Sequence, residues 1–513
     1  MANFLLSLCY LFAQLLILLH CWTKSCLTAA NTTDKLSSRS LWFTQPVDHF
    51  GLDNQQQWQQ QYMVNSTFYM PGGPIFVTTA GESALTSYNI DGTYITELAQ
   101  STSGMIIAIE HRFYGQSSPM PDLSGASLQY LTIDNVLEDF ASIIRAIKAN
   151  TANSTTTLPF LVNASSPIIF AGGSYAGSVA AWMRAKYPEL VIGAWASSAT
   201  LYGRLENYQF DQAFGRHLKA VGCAQCFAQA IADLDTILNS DDANKIGAVQ
   251  TKLGIPLLGS SDLSNLLTVF ATIGAMQPVT LVSDPVYSTV CSFFNQTTTS
   301  QIGYSTCLNS YIAMINELIS ESQLTPEMLI ALGNSSLAID YTALNQPQRV
   351  WYYQMCSWFG MWQVAPPPKA VSGLTSYRSQ LLDLDYFQSN CPKKFGSQSK
   401  SPVDVGAYNE EWFDILKNTT NVYYTSGSLD VWRDSTVATS TGNLFEPVGD
   451  SLIIVIDGAT HVQDLTASSE LDLPSVKEAR LLGYELVNKW IRNSGNNNAQ
   501  HAHKYKHKHK YSC

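Results

Sequence analysis

One serine of this chain stands in a setting that can make its hydroxyl a nucleophile. The run Gly172-Gly-Ser-Tyr-Ala-Gly177 is of the Gly-x-Ser-x-Gly type, with alanine at the last place of the motif. It follows the apolar run Ile168–Phe170 and opens a helix-forming run that ends near Pro188. Small residues on both sides let the chain turn sharply enough to lift a hydroxyl at a helix N-terminus. We therefore predict that Ser174 attacks an acyl group.

A nucleophilic serine needs a base, and the nine histidines of the chain narrow the choice. Five of them lie near the termini, which leaves His49, His111, His217 and His461. His461 follows the apolar run Ile453–Ile456 and a glycine loop. Enzymes that place a serine between a strand and a helix carry the base after a last strand of this kind. We predict that His461 is the base.

The acid that orients such a histidine lies between the nucleophile and the base in the chain. Asp430 follows a strand-like run and a turn of small residues. We predict that it fixes the tautomer of His461 and stabilises the imidazolium, while His461 moves the proton from Ser174 to the leaving amine. Three alternatives for the acid stay open: Asp434, Asp457 and Asp464.

Acyl transfer also requires two backbone N–H donors for the developing oxyanion. Tyr175, the residue after the nucleophile, supplies one by position. The second is expected from the loop after the apolar run Ile75–Thr79, at Gly81 or Glu82. The carboxylate of Glu82 has two open interpretations, a contact to a charged end of the substrate or a structural role.

The elements that must position these residues alternate between strand and helix. Strands are predicted at Pro74–Thr79, Met105–Ile109 and Pro167–Phe170, with a helix at Ile133–Lys148 between the last two. This order predicts a parallel sheet with crossover helices.

The segment that follows is predicted to be mainly helical, before the sheet resumes. Its predicted helices are Ile231–Leu238, Leu263–Ile273, Ile312–Ile319 and Pro326–Leu332. Strands return at Asn421–Tyr424 and Leu452–Ile456, and a final helix is predicted near Ser475–Arg492. The predicted fold class is α/β, an α/β-hydrolase with a mostly parallel sheet in residues 41–204 and 406–492 and an inserted helical cap in residues 205–405. Residues 493–513, a tail rich in His and Lys, are predicted to be disordered.

The cysteines predict disulfides confined to the cap. Six of the ten lie in the body of the chain, at Cys223, Cys226, Cys291, Cys307, Cys356 and Cys391. Crowding of this kind predicts up to three disulfides whose pairing stays open. A zinc or redox role for the Cys-x-x-Cys pair is disfavoured, because no second pair or close histidine pair accompanies it.

Several features predict export from the cytosol. Residues 1–30 hold an apolar stretch of signal-peptide length, and no other stretch is long enough to span a membrane. Seven glycosylation sequons occur, at Asn31, Asn65, Asn153, Asn163, Asn295, Asn334 and Asn418. The net charge of −11 argues against a nucleic-acid partner. We expect a secreted protein, or one of the lysosomal or vacuolar lumen.

Six ordered stretches carry a family resemblance: Gln45–Phe50, Gly72–Phe76 with Gly81-Glu82, Glu110–Gly115, Gly172–Gly177 with Lys186–Pro188, Gly427–Trp432, and Gly458–His461. Over residues 41–492 the chain resembles the family of prolyl carboxypeptidase, dipeptidyl peptidase II and thymus-specific serine protease. The resemblance implies an α/β-hydrolase with a helical cap and a triad of Ser174, Asp430 and His461. It also implies exopeptidase action beside proline, removing either a C-terminal residue or an N-terminal dipeptide.

The resemblance also bears on the substrate pocket. Trp432 matches a family aromatic residue that helps wall the proline pocket. Ser178 stands where relatives carry methionine, which predicts a wider or more polar pocket. Trp358 replaces the acid of a Cys-Thr-Glu run, so a contact to a substrate terminus or within the cap is expected to be lost. His49 and His111 match structural motifs.

These observations together predict a serine exopeptidase that acts on peptides. We expect it to need no metal or organic cofactor and to be a monomer or homodimer. One alternative is an esterase or lipase on the same fold, since a serine elbow does not specify amide over ester. The other is an inactive hydrolase-like binding protein.

Overall fold

An eight-stranded sheet forms the centre of the molecule. The computed structural model describes residues 40–51, 56–149, 160, 162–240, 242–254, 285–294, 305–322, 344, 346–367, 374–399 and 402–508. The strands of the sheet are β1 (Leu41–Pro46), β2 (Gln57–Asn65), β3 (Ile75–Thr78), β4 (Met105–Ile109), β5 (Ile168–Gly173), β6 (Gly193–Ser197), β7 (Val422–Gly427) and β8 (Leu452–Ile456).

The strand order confirms the predicted fold class. The strands follow one another as β1-β2-β4-β3-β5-β6-β7-β8. The pairs β1–β2 and β2–β4 are antiparallel, and the other five pairs are parallel. A mostly parallel sheet with β3 and β4 exchanged is the α/β-hydrolase topology. Strands β3 and β4 are buried along their whole length, which explains their continuous apolar sequence.

Helices pack on the first half of the sheet, and one of them is the predicted crossover helix. The main ones are α1 (Tyr94–Thr102), α2 (Ile133–Ala149) and α3 (Tyr175–Lys186), and two single turns lie at Tyr88–Asp91 and Gly125–Leu128. The apolar positions of α2 are buried and recur at helical spacing. The predicted helix Ile133–Lys148 is therefore confirmed within one residue.

A mainly helical segment is inserted between β6 and β7, and we refer to it as the cap. Its helices are α4 (Tyr208–Ala220), α5 (Ala224–Leu238), α6 (Ala243–Lys252), α7 (Pro285–Phe294), α8 (Thr306–Ser322), α9 (Pro347–Gln354) and α10 (Leu384–Phe395). A five-residue π-helical turn, Met355–Phe359, continues α9. Short strands Arg204–Glu206 and Gly360–Trp362 pair in parallel at the cap boundary. The predicted helices Leu263–Ile273 and Pro326–Leu332 lie outside the described residues.

Three disulfides hold the cap together, as the cysteine count predicted. The pairs are Cys223–Cys291, Cys226–Cys307 and Cys356–Cys391. The first two join α5 and the residue before it to α7 and α8, and the third joins the π-helical turn to α10. Every described disulfide therefore lies inside the cap.

After the cap the chain completes the sheet and ends in a long helix. A short turn, Val405–Tyr408, leads into a second π-helical turn, Asn409–Phe413, and a small ribbon pairs Ala438–Thr439 with Gly442–Asn443. The last helix, α11, spans Pro474–Lys508. Residues 493–508, within the tail of residues 493–513 that was predicted to be disordered, are thus helical. No proline follows Arg492 to end the helix, and the single Gly495 is insufficient to do so.

The helices form one layer on each face of the sheet. Residues of α2 and α3 belong to the larger hydrophobic cluster, which extends into the cap. Residues of α1 and α11, among them Leu98 and Trp490, belong to a second cluster on the other face. The predicted catalytic residues Ser174, Asp430 and His461 each follow the carboxyl end of a parallel strand, β5, β7 and β8 respectively.

Candidate active site

Ser174 stands on the tight turn between β5 and α3. Its φ of 56° and ψ of −131° form a backbone conformation that is costly for any residue other than glycine. Its N–H donates to the carbonyl oxygen of Ser197, at the end of β6, over 2.8 Å. A Cβ on Gly172 would lie 2.4 Å from the carbonyl oxygen of Ala176, so the turn requires glycine there. The elbow therefore stores strain at the predicted nucleophile, which is only partly buried.

The loop that carries His461 presses against this elbow. Val462 has a φ of 59°, and its N–H donates to Oγ of Ser198 over 2.9 Å. A Cβ on Gly173 would lie 2.2 Å from Cγ1 of Val462. The residue before the serine and the residue after the histidine are therefore in contact. The side chains of Ser174 and His461 extend from adjacent segments of backbone.

Asp430 and His461 form a buried pair. Nδ1 of His461 donates to Oδ1 of Asp430 over 2.9 Å, and both side chains are almost fully buried. The same carboxylate oxygen accepts the N–H of Trp432 over 2.8 Å. In the neutral ring a proton on Nδ1 leaves a lone pair on Nε2, and Nε2 is buried with no hydrogen-bond partner among the described residues. Such a contact to the nucleophile often forms only when substrate binds. In this arrangement Nε2 of His461 can accept a proton while Asp430 holds the ring in place.

The other three histidines have structural partners. Nε2 of His49 donates to the buried carboxylate of Asp139 over 2.7 Å. Nδ1 of His111 donates to the carbonyl oxygen of Arg112 over 2.8 Å, and burial lowers the pKa of this imidazole to about 4. His217, on cap helix α4, donates to the carbonyl oxygen of Leu429, and burial lowers its pKa.

The three alternative acids also lie apart from the base. Asp434 accepts hydrogen bonds from the N–H and hydroxyl of Ser440. Asp457 is exposed and has a long contact of 3.5 Å to the hydroxyl of Ser428. Asp464 is buried, and its carboxylate accepts bonds from β6 and β7. Among the four aspartates, Asp430 is the one that bonds the ring of His461.

The predicted oxyanion donors surround the start of α3. Tyr175 is the first residue of α3, so its N–H has no partner within the helix. A Cβ on Gly81, whose φ is 64°, would lie 3.4 Å from the backbone nitrogen of Ala176. The N–H of Gly81 makes a long bond of 3.3 Å to Oγ1 of Thr79. The loop thus places backbone donors beside the elbow.

Glu82 brings a carboxylate to the same place. Burial raises the pKa of Glu82, while its own backbone N–H and the nearby His461 oppose the rise. Burial raises the pKa of the hydroxyls of Tyr114 and Tyr175, and the charge of Glu82 adds to the rise. A partly buried acid therefore lies within electrostatic reach of the base.

Aromatic side chains from the cap cover the elbow. The ring centroid of Trp358 lies 6.4 Å from that of Tyr175, and the ring of Trp351 lies 5.8 Å from it. On the other side, Trp432 packs edge-on against Phe210 of α4 at 5.1 Å. Trp358 and Trp432 therefore lie next to the elbow and the acid loop, where a pocket wall was predicted.

Ser178 does not line this pocket. The residue is fully buried within α3, and its hydroxyl donates to the carbonyl oxygen of Thr200 over 2.9 Å. The prediction that it makes the pocket wider or more polar is therefore wrong. A polar residue is tolerated at this buried position because its hydroxyl bonds a backbone carbonyl.

A buried network around Tyr175 was missed at the sequence level. The hydroxyl of Tyr175 donates to Nε2 of His111 over 2.8 Å, and the hydroxyl of Tyr114 donates to Oε1 of Gln354 at the end of cap helix α9. His111 and Tyr114 both belong to the Glu110–Gly115 motif, which was the available signal. The network joins the cap to the residue that follows the nucleophile.

Two sequons have exposed acceptors and one does not. Asn163 and Asn418 are exposed. The side chain of Asn65 is buried and donates to the carbonyl oxygen of Ile90 over 2.8 Å, so the folded protein does not present it as an acceptor. Asn31, Asn153, Asn295 and Asn334, as well as the predicted signal peptide, lie outside the described residues.

The fold and the elbow define an α/β hydrolase, and comparison with known proteins gives the family. Residues 45–482 match the family described as serine carboxypeptidase S28. The chain belongs to this family and is a serine-type peptidase by descent.

Curated relatives cover most of the chain. It is 27% identical to thymus-specific serine protease of Mus musculus over 88% of this chain and 87% of that protein. It is 25% identical to lysosomal Pro-X carboxypeptidase of Bos taurus over 92% and 91%. It is 26% identical to serine protease vicPa of Bipolaris victoriae over 90% of each.

Proposed function

We propose that this protein is a serine exopeptidase that cleaves peptide bonds beside proline through an acyl-enzyme. The observation that carries the proposal is the buried pair of Asp430 and His461, whose unpaired Nε2 lies on the loop against the Ser174 elbow. A buried acceptor without a partner costs free energy in the folded state, and a catalytic role is one reason for such a group to be kept.

In the proposed reaction Oγ of Ser174 attacks the scissile carbonyl carbon while Nε2 of His461 takes its proton. The N–H of Tyr175 and that of Gly81 or Glu82 stabilise the oxyanion. The intermediate collapses, the C–N bond breaks, and the amine leaves with the proton from Nε2. Water then repeats the sequence on the acyl-enzyme and frees the acid product. Asp430 keeps the ring oriented throughout.

The substrate assignment rests on the family and on the aromatic walls. The name of the Bos taurus relative refers to Pro-X bonds. Trp358 packs against Tyr175 beside the elbow and Trp432 lies in the acid loop, and flat apolar rings of this kind pack well against proline. A contact between the carboxylate of Glu82 and the amine of a substrate would favour release of an N-terminal dipeptide, and turnover of the two kinds of peptide decides between the two ends.

The proposal also covers location. We propose a secreted or lysosomal protein, on the basis of the sequons and the lysosomal relative. In the parts of the chain that the structure describes, no helix is long and apolar enough to cross a membrane.

The first test is labelling with a fluorophosphonate. Wild-type protein should be phosphonylated, and Ser174→Ala should remain unlabelled. Failure of the wild type to react would support a binding protein without catalysis. Ser178→Ala is a matched control, because this buried serine lies on the same helix and should leave labelling unchanged.

The second test compares three substrates. A Pro-containing dipeptide amide reports removal of an N-terminal dipeptide, and an N-blocked peptide ending in Pro-X reports carboxypeptidase action. A short-chain ester reports esterase action. Turnover of the ester alone would overturn the peptidase proposal and leave the serine mechanism standing.

A further inference from the structure

The carboxylate of Asp464 joins the strands that lead to the nucleophile and to the acid. Its Oδ1 accepts the hydroxyl of Ser197 over 2.5 Å. Its Oδ2 accepts the hydroxyl of Thr425 over 2.6 Å and Nε1 of Trp195 over 2.9 Å. All four side chains are at most 2% exposed, so these bonds are shielded from water.

The register of the sheet explains why these donors converge. Ser197 of β6 and Thr425 of β7 are direct partners in the parallel pairing. Trp195 lies two residues before Ser197 and therefore on the same face of its strand. Asp464, three residues after His461, reaches this face from the loop that follows β8.

Two of the donors, Ser197 and Thr425, are also linked to the catalytic segments through their backbone carbonyls. The carbonyl oxygen of Ser197 accepts the N–H of Ser174 over 2.8 Å. The carbonyl oxygen of Thr425 accepts the N–H of Ser198 over 2.7 Å. The hydroxyl of Ser198 in turn accepts the N–H of Val462, next to His461. One carboxylate thus connects the nucleophile elbow, the strand before the acid and the histidine loop.

Arg480 binds the backbone of the loop that contains Asp464. Nε of Arg480, on α11, donates to the backbone carbonyl of Asp464 over 2.9 Å, and its Nη2 donates to the carbonyls of Gln463 and Thr466. The guanidinium pairs with the carboxylate of Asp472. The carboxylate of Asp464 therefore acts on the three neutral donors and is not committed to this cation.

We infer that Asp464 is a positioning residue, which sets the distance and angle between His461 and Ser174 through its bonds to Ser197, Thr425 and Trp195. The inference rests on the proposed triad. A ring that must take a proton from a hydroxyl tolerates little displacement, and a shift of about 1 Å costs on the order of a hundredfold in rate. Asp464 touches no reacting atom itself.

The test measures the rate of phosphonylation by a small fluorophosphonate, which depends on Ser174 and His461 and on no peptide pocket. In Asp464→Asn the amide oxygen can still accept hydrogen bonds from Trp195 and Thr425. The amide NH2 group then faces the hydroxyl of Ser197 and cannot accept a hydrogen bond from it. We expect the second-order rate constant to fall about tenfold for Asp464→Asn and about a hundredfold for Asp464→Ala. The unfolding temperature of each variant shows that the assay is made on folded protein.

Matched variants separate positioning from stability. Asp457→Asn changes an exposed carboxylate four residues before His461 and should keep the wild-type rate. If Asp464→Ala fails to fold, Ser197→Ala and Thr425→Val each remove one donor, and each should slow labelling severalfold. Folded Asp464→Asn with a rate within about twofold of wild type would overturn the inference, because a purely structural residue changes stability alone. If wild type itself is not labelled at Ser174, the proposed function fails instead.

Discussion

Replacement of Asp430 by asparagine should remove a charge and leave the tautomer of His461 intact. Oδ1 of Asp430 accepts two bonds, from Nδ1 of His461 and from the N–H of Trp432, while Oδ2 has no partner among the described residues. A backbone N–H can only donate, so the oxygen of the asparagine amide must take the Oδ1 place. Nδ1 of His461 then still finds an acceptor, and Nε2 remains the base.

What the variant loses is the attraction between the carboxylate and the imidazolium that forms in the transition state. Two unit charges about 4 Å apart attract by about 4 kcal/mol at an effective dielectric constant of about 20. A barrier raised by about 4 kcal/mol slows the reaction about a thousandfold. Asp430→Ala, which also strips the acceptor from Nδ1, should lose more, about ten-thousandfold in all.

The assay is kcat/KM on the substrate identified by the turnover comparison, with the phosphonylation rate as a check that needs no substrate. We expect the loss in kcat, with KM little changed. Asp434→Asn is the matched control, since Asp434 lies in the same loop and bonds Ser440 instead of the histidine. Loss of less than about tenfold in Asp430→Asn, or an equal loss in Asp434→Asn, would refute the reasoning.

Three further outcomes are expected. Gly173→Ala should lose at least about a hundredfold in phosphonylation rate, because the new Cβ would meet Val462 at 2.2 Å, and Val462→Ala in the same chain should restore part of it. Burial raises the pKa of Asp211 to about 6, so the folded state binds its proton more tightly than the unfolded chain. The protonated Asp211 therefore contributes its full stabilisation below about pH 4, and this contribution is lost as the pH rises past about 6. The free energy of unfolding of wild type, relative to that of Asp211→Asn, should fall by up to about 3 kcal/mol between about pH 4 and pH 7. Urea titrations of both proteins measure this difference. In secreted protein, Asn418→Gln should remove one glycan by gel mobility, whereas a shift with Asn65→Gln would contradict the burial of that side chain.

The sheet and the contact between Asp430 and His461 could be predicted because their signals are local. A strand buried on both faces is a short apolar run, and the turn that follows it must contain small residues. Ser174, Asp430 and His461 each come directly after such a run, so elimination among few histidines was enough to select the pair that the structure joins. The contact between Gly173 and Val462 then follows from the meeting of strand ends at one edge of the sheet.

The remaining features depend on contacts between distant parts of the chain. The partners of Cys223 and Cys226 are set by how α5 packs against α7 and α8, which no spacing reveals. The family resemblance places Ser178 at the pocket, whereas the turn of α3 points its hydroxyl toward the carbonyl oxygen of Thr200. Asp464 was considered only as an alternative acid, because its donors lie on two strands that sequence analysis treats separately.

The insertion of the cap between β6 and β7 has a consequence for biosynthesis. Ser174 lies before the cap, and Asp430 and His461 lie after it. While the ribosome is translating the cap, the growing chain therefore contains Ser174 and lacks Asp430 and His461. Under the proposed triad, hydrolysis of peptides begins only when the last strand has been made and has joined the sheet, so a chain that ends before His461 is not a peptidase.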